Sequence, residues 1–202
     1  MSLLANQIFI GWTLLTSGIV FILSFIFLAL MFSVKTSPWG PLNDISYVIA
    51  LVLILPFMIV YFNDLRITQP FLALIALLLG FAGIALIAYT QIGLVLRKIE
   101  FSLNLRQGAF GAGLLGVAFT INHMLSAGII PFGLNWPGLI AGIFMAMGIP
   151  TGLFYGKEEI EMTSGKMDWK NANRLAIASV LATFLGQILL IILVIILGFH
   201  FL

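Results

Sequence analysis

The chain reads as all-α: a polytopic transmembrane helix bundle of six spans. Three observations carry that reading. Of 202 residues, 62% are apolar and 8% are charged, against roughly 25% charged in a soluble domain. The apolar residues form continuous runs rather than alternating, which excludes barrel strands. It leaves the helix as the element that satisfies its own backbone in hydrocarbon. The apolar total, 62% of 202 residues, fills about six spans at roughly 20 residues each.

The spans are expected in order along one transmembrane domain, 1–202. Span 1 is about Ile8–Phe32 (8–32), an uncharged run rich in Ile, Leu and Phe. The residues before it, MSLLANQ, lack the basic start of a cleavable signal. Ser33–Asp44 is expected to be a loop, because Pro38, Gly40 and Pro41 stop a helix from continuing. Span 2 is about Ile45–Phe62 (45–62), short, with Pro56 inside it. Asp44 or Asn43 would cap it, an acid being favourable at a helix N-terminus. A functional role for that pair is the alternative, since it follows a rigid Pro/Gly turn. Span 3 (70–96) opens on Pro70 as a first-turn proline. Arg97–Gln107 is a basic loop. Span 4 is Gly108–Phe132 (108–132), Gly133–Pro137 a short turn, and span 5 Gly138–Tyr155 (138–155), with Pro150 inside. Lys157–Asn173 is hydrophilic. Its Glu158, Glu159 and Glu161 are sequential rather than spaced like a cation-binding loop, so a solvated loop is favoured over a metal site. Asp168 or Asn171 can cap span 6 (174–202), which starts at Arg174.

Orientation follows from Lys and Arg. The side holding loops 1, 3 and 5 carries all but Arg66 of the nine basic residues. By the positive-inside rule those loops are cytoplasmic and both termini lie outside, in a cytoplasmic-type inner (plasma) membrane. A reporter fused to the C-terminus is expected to read out as external; an internal reading reverses the topology.

Gly80 and Gly83, Gly108 to Gly116, and Gly138 to Gly156 recur at helical spacing in spans 3, 4 and 5. Small residues four apart let helices approach closely. Two uses are open: packing within the chain, or an oligomer or membrane-complex face on spans 4 and 5. The lipid bilayer is the expected partner, and a nucleic-acid partner is excluded by the lack of a basic stripe.

Two loops look alike, Pro38-Trp39-Gly40-Pro41-Leu42-Asn43 and Pro131-Phe132-Gly133-Leu134-Asn135. Each leads into a short span with an internal proline, Pro56 or Pro150, the pair marked as candidate hinges. Two readings stand: chance, since Pro, Gly and aromatics are common at membrane interfaces, or a 3+3 inverted repeat. Matched Pro-interrupted spans in inverted halves point to a transporter-like site.

Apart from His123, no acid or base is expected mid-span, which argues against a proton pump, a voltage sensor or a Schiff-base retinal protein. The uncharged polar set gives the candidate substrate site: Tyr89, Gln91, Asn122, His123, Ser126 and Gln187. Cross-helix hydrogen bonding is the alternative use of these side chains. No cofactor is expected. A bis-His haem fails on depth, His123 standing about 22 Å and His200 about 39 Å from the cytoplasmic helix ends. With no Cys, a thiolate metal site or cysteine nucleophile is excluded. Catalytic motifs are absent too; Gly111–Gly116 spells G-x-G-x-x-G, but inside a span rather than after a strand.

The stretch Trp39-Gly40-Pro41-Leu42-Asn43-Asp44-Ile45 resembles a turn in small uncharacterised bacterial six-span integral membrane proteins. The resemblance implies a bacterial or archaeal polytopic protein and supplies no activity or site residues. Three functions are therefore expected in order. The first is a small transporter or channel-like protein for a neutral or lipid-like solute. The second is a non-catalytic accessory subunit of a membrane complex. The third is an intramembrane lipid-acting enzyme using His123 as acid or base.

Overall fold

The computed structural model describes residues 3–34, 38–125, 132–154, 162–163, 166–167 and 174–202. Their helices are α1 (Leu3–Val34), α2 (Trp39–Leu65), α3 (Pro70–Val95), α4 (Phe101–Leu125), α5 (Phe132–Ala146), α6 (Gly148–Phe154) and α7 (Arg174–Phe201). Taking α5 and α6 together from Asn135 to Phe154, six helical segments are long and apolar enough to cross a membrane. The protein is therefore read as an integral, multi-pass membrane protein. Met162–Thr163 and Lys166–Met167 form a two-residue antiparallel pair in the hydrophilic connection.

The helices pack as an antiparallel ring. Each touches its neighbours in sequence, and α1 meets α7 to close it. Registers follow from named contacts. Ser17 Oγ donates to the Ala50 carbonyl at 2.8 Å and Ser24 Oγ to Asn43 Oδ1 at 2.8 Å, fixing α1 against α2. Between α3 and α4 the backbones themselves meet. A Cβ on Gly83 would lie 2.5 Å from the Gly111 carbonyl oxygen, and one on Gly111 would lie 2.9 Å from that of Gly83. A Cβ on Gly116 would similarly lie 2.6 Å from the Gly142 carbonyl oxygen. The glycine-rich faces of spans 3, 4 and 5 thus pack within the chain, as small residues do where hydrocarbon gives helices no other reason to associate. The core joins Leu14 and Phe21 to Leu51, Ile54, Ile87, Leu115, Met145 and Leu193. Trp12, Phe71, Leu78 and Phe199 face outward, as a lipid-contacting surface requires.

Several boundaries differ from expectation, and all but the start of α4 involve a proline. Helix α2 begins at Trp39, not Ile45, and Leu42 N–H donates to the Pro38 carbonyl at 3.1 Å. Pro41 falls in the first turn, where a missing N–H has no intrahelical acceptor to disappoint. Asn43 and Asp44 are consequently inside the span and are not caps, and no side chain caps α2. Helix α4 starts at Phe101 rather than Gly108 and its described part ends at Leu125, while Gly133–Pro137 is the start of α5 rather than a turn. Span 5 breaks at Met147, which separates α5 from α6. Pro150 cannot donate to the Ala146 carbonyl, so a straight helix would lose a bond there. Pro56 instead lies inside unbroken α2. The cap expectations at Asp168 and Asn171 and the acids Glu158, Glu159 and Glu161 lie outside the described residues.

The two similar loops act alike locally: Trp39 and Phe132 each begin a helix, at opposite ends of the ring. Their prolines act differently, since one span is broken and the other is not.

Candidate functional site

The connections α1–α2, α3–α4 and α6–α7 fall at one end of the ring, here the basic end. A cavity of about 500 Å³ lies there between α1, α2, α3, α4 and α7. Its walls are largely apolar, with Phe25, Leu28, Ile87, Leu94 and Phe184 among them. Ser24 is about 15 Å from the end of α1 and Gln187 about 20 Å from the start of α7 at 1.5 Å per residue. Both line the cavity, so it reaches roughly the mid-depth of a ~30 Å hydrocarbon layer.

Its polar lining comes from every helix of the wall. Asn43 accepts from Ser24 Oγ through Oδ1, and its Nδ2 donates to Asp44 Oδ1 at 3.0 Å. Asp44 is buried, 9% exposed, one and a half turns inside the span. An ionisable group at such depth is a functional-site candidate in its own right. Across the cavity stand Gln91 of α3 and Asn104 of α4. Among the described residues neither Gln91 Oε1 nor Asn104 Oδ1 has a hydrogen-bond partner, although Asn104 is only 6% exposed. Buried acceptors are normally satisfied, so each such oxygen calls for a donor.

Arg97 stands at the mouth with φ 55°, the left-handed region where glycine is favoured at a helix end. Its N–H donates to the Leu94 carbonyl at 2.9 Å and the Lys98 N–H to that of Gly93 at 2.8 Å. Together these form the two-bond C-terminal closure of α3. An arginine held there costs roughly 1 kcal/mol relative to glycine, so the backbone closure does not by itself account for the side chain.

A second polar cluster sits at the opposite end. His123 Nδ1 and Asn135 Oδ1 are 3.0 Å apart, and the imidazole packs on Tyr61 and Phe119. A Cβ on Gly138 would overlap the His123 ring, so the glycine leaves the space on α5 that the histidine occupies. Asn122 is buried beside it.

The six expected site residues are therefore split. Gln91 and Gln187 line the cavity. His123 and Asn122 do not; on α4, His123 is about 28 Å from Asn104. Tyr89 is 64% exposed on the outer surface. Ser126 lies outside the described residues. The reason is antiparallel register. The close approach of Gly83 to Gly111, and of Gly108 to Thr90, sets Gln91 level with the start of α4, so it meets Asn104 and not His123. The depth argument against paired histidines also changes. With α4 starting at Phe101, His123 stands about 33 Å from the basic end, close to the ~39 Å of His200. Burial now separates them, His123 being enclosed and His200 exposed.

Ser24, Asn43, Asp44, Arg97 and Asn104 were not among the expected site residues. A helical register for Trp39–Asp44 would have found Asp44, because it moves the acid from a boundary to a buried turn.

No known protein family, curated protein or solved structure matches this chain. The likeness carried by Trp39–Ile45 therefore supports no family membership.

Proposed function

We propose that this protein binds a small solute from the side of its basic loops and acts as a small transporter or channel-like protein of the cytoplasmic membrane. The observation that carries the reading is the cavity of about 500 Å³ whose apolar walls hold a few polar groups. Sites for small molecules have this composition: apolar walls with a few polar groups that fix orientation. The described lining of the cavity lies toward the basic end, and the cluster of His123, Asn135, Tyr61 and Phe119 lies outside it. The break at Met147 and the inverted local likeness of α2 and α5 support an alternating-access design, with Pro150 rather than Pro56 at the hinge. The basic end is taken as cytoplasmic on the positive-inside rule.

The chain has no cysteine, so single cysteines can be introduced without further change. Gln91 and Tyr89 are two residues apart on α3, about 200° around the helix. In membrane vesicles of known orientation, Gln91→Cys is expected to react with a membrane-impermeant charged maleimide from the cytoplasmic side only. Tyr89→Cys, facing lipid, is expected to stay unlabelled. Equal protection of both positions would refute a water-filled cavity, and labelling of Gln91→Cys from outside would reverse its direction.

A further inference from the structure

We infer that the ligand of this cavity is an organic ammonium with an apolar body, its ammonium held one to two helical turns inside the basic end and its apolar body deeper; the inference rests on the solute-binding reading above. Its basis is a group of acceptors at one level near the basic end, where Asp44 is five residues into α2, Asn104 three into α4 and Gln91 four from the end of α3. Asn104 Oδ1 and Gln91 Oε1 are both buried acceptors without a donor. The Asp44 carboxyl lies in the same wall, already oriented by Asn43 Nδ2 at 3.0 Å. Asn43 Oδ1 is itself occupied by Ser24 Oγ, so the Ser24–Asn43–Asp44 chain points its remaining capacity at the cavity through the carboxyl. Three acceptor groups on three helices match the three N–H donors of a primary ammonium. A carboxylate or phosphate would stand against the Asp44 carboxylate, a like charge in a poor dielectric.

Arg97 does not reverse this preference. It is exposed at the mouth, where solvent and salt screen its charge, whereas Asp44 and Asn104 are buried and act through a poorer dielectric. The remaining surface suits a hydrocarbon chain. Phe25, Leu28, Leu94 and Phe184 wall the cavity, and an aromatic face also attracts a cation.

The test uses three probes of equal chain length, n-hexylammonium, n-hexanol and n-hexanoate, against the full chain in a neutral detergent. Thermal unfolding is followed by intrinsic fluorescence at increasing probe concentration. Hexylammonium is expected to raise the midpoint saturably, hexanol less, and hexanoate not at all. Asn104→Leu and Asp44→Asn are each expected to weaken the apparent hexylammonium affinity at least about tenfold. Should either variant fail to purify, Gln91→Leu tests the same wall, and the ranking of the three probes on the unaltered chain decides by itself. A larger shift with hexanoate, or no shift with hexylammonium, overturns the proposal. If Gln91→Cys still labels from the cytoplasmic side in that event, the ligand class falls while the solute-binding reading stands.

Discussion

Gly83→Val is expected to destabilise the folded bundle by about 3 kcal/mol, the cost of forcing bulk into a closed contact. Two effects oppose each other. Valine is the better helix former, by about 0.4 kcal/mol, which favours the variant. Against it, even the first added carbon would lie 2.5 Å from the Gly111 carbonyl oxygen and 2.8 Å from Leu115 N. Both atoms are backbone, so no rotamer change relieves the clash, and α4 must move as a body. Moving α4 disturbs its contact with α5, where Gly116 and Gly142 are equally close. The steric term therefore wins by several-fold. Gly133→Val is the control, since among the described residues nothing lies within 4 Å of a Cβ there; it is expected to change stability by less than about 0.5 kcal/mol. Unfolding midpoints of the purified variants check both values. Equal losses would mean that the glycines of α3 and α4 do not act by close approach.

The same glycines mark what could be read from sequence and what could not. Long apolar runs and the Gly spacing fixed the six spans and which helices touch, because hydrocarbon leaves a chain few alternatives. Pro70 opened α3 as expected, but boundaries moved at Pro41 and Pro137 and at the proline-free start of α4. Pro41 and Pro137 were read as breakers, yet Pro41 lies in the first turn of α2 and Pro137 within α5. The six-residue extension of α2 is what carries Asp44 into the wall of the cavity. The site was half-legible for a related reason. Gln91 and Gln187 are visible as polar residues in apolar runs. Pairing them with Asn104 instead of His123 requires the α3–α4 register, a property of two helices together that neither run encodes alone. Asn104 was hidden further, because a basic loop was expected where α4 begins.

At the break in span 5 an asymmetric result is expected: Ser179→Ala costs about 2 kcal/mol, the penalty for orphaned buried groups, whereas Thr151→Val costs only about 0.6 kcal/mol, the usual worth of one hydrogen bond between membrane helices. Both side chains are buried, and their oxygens are 2.6 Å apart. Ser179 Oγ also donates to the Met147 carbonyl. A serine hydroxyl has one proton, so Ser179 must accept in its bond with Thr151, and Thr151 is the donor. Replacing Thr151 removes one bond and leaves Ser179 still serving Met147. Replacing Ser179 strips a partner from the Met147 carbonyl and from the Thr151 hydroxyl together, at a buried position. Valine in place of threonine keeps the volume, so cavity formation does not blur the comparison. The break also sits behind the cavity wall, because a Cβ on Gly148 would lie 3.2 Å from Thr183 Oγ1, and Thr183 lines the cavity. Loosening α6 through Ser179→Ala is therefore expected to change the maleimide labelling rate of a Gln187→Cys probe, while Thr151→Val leaves it unchanged. Equal thermal losses in the two variants would assign the donor wrongly. An unaltered labelling rate with Ser179→Ala would detach the break from the cavity and remove Pro150 from the hinge.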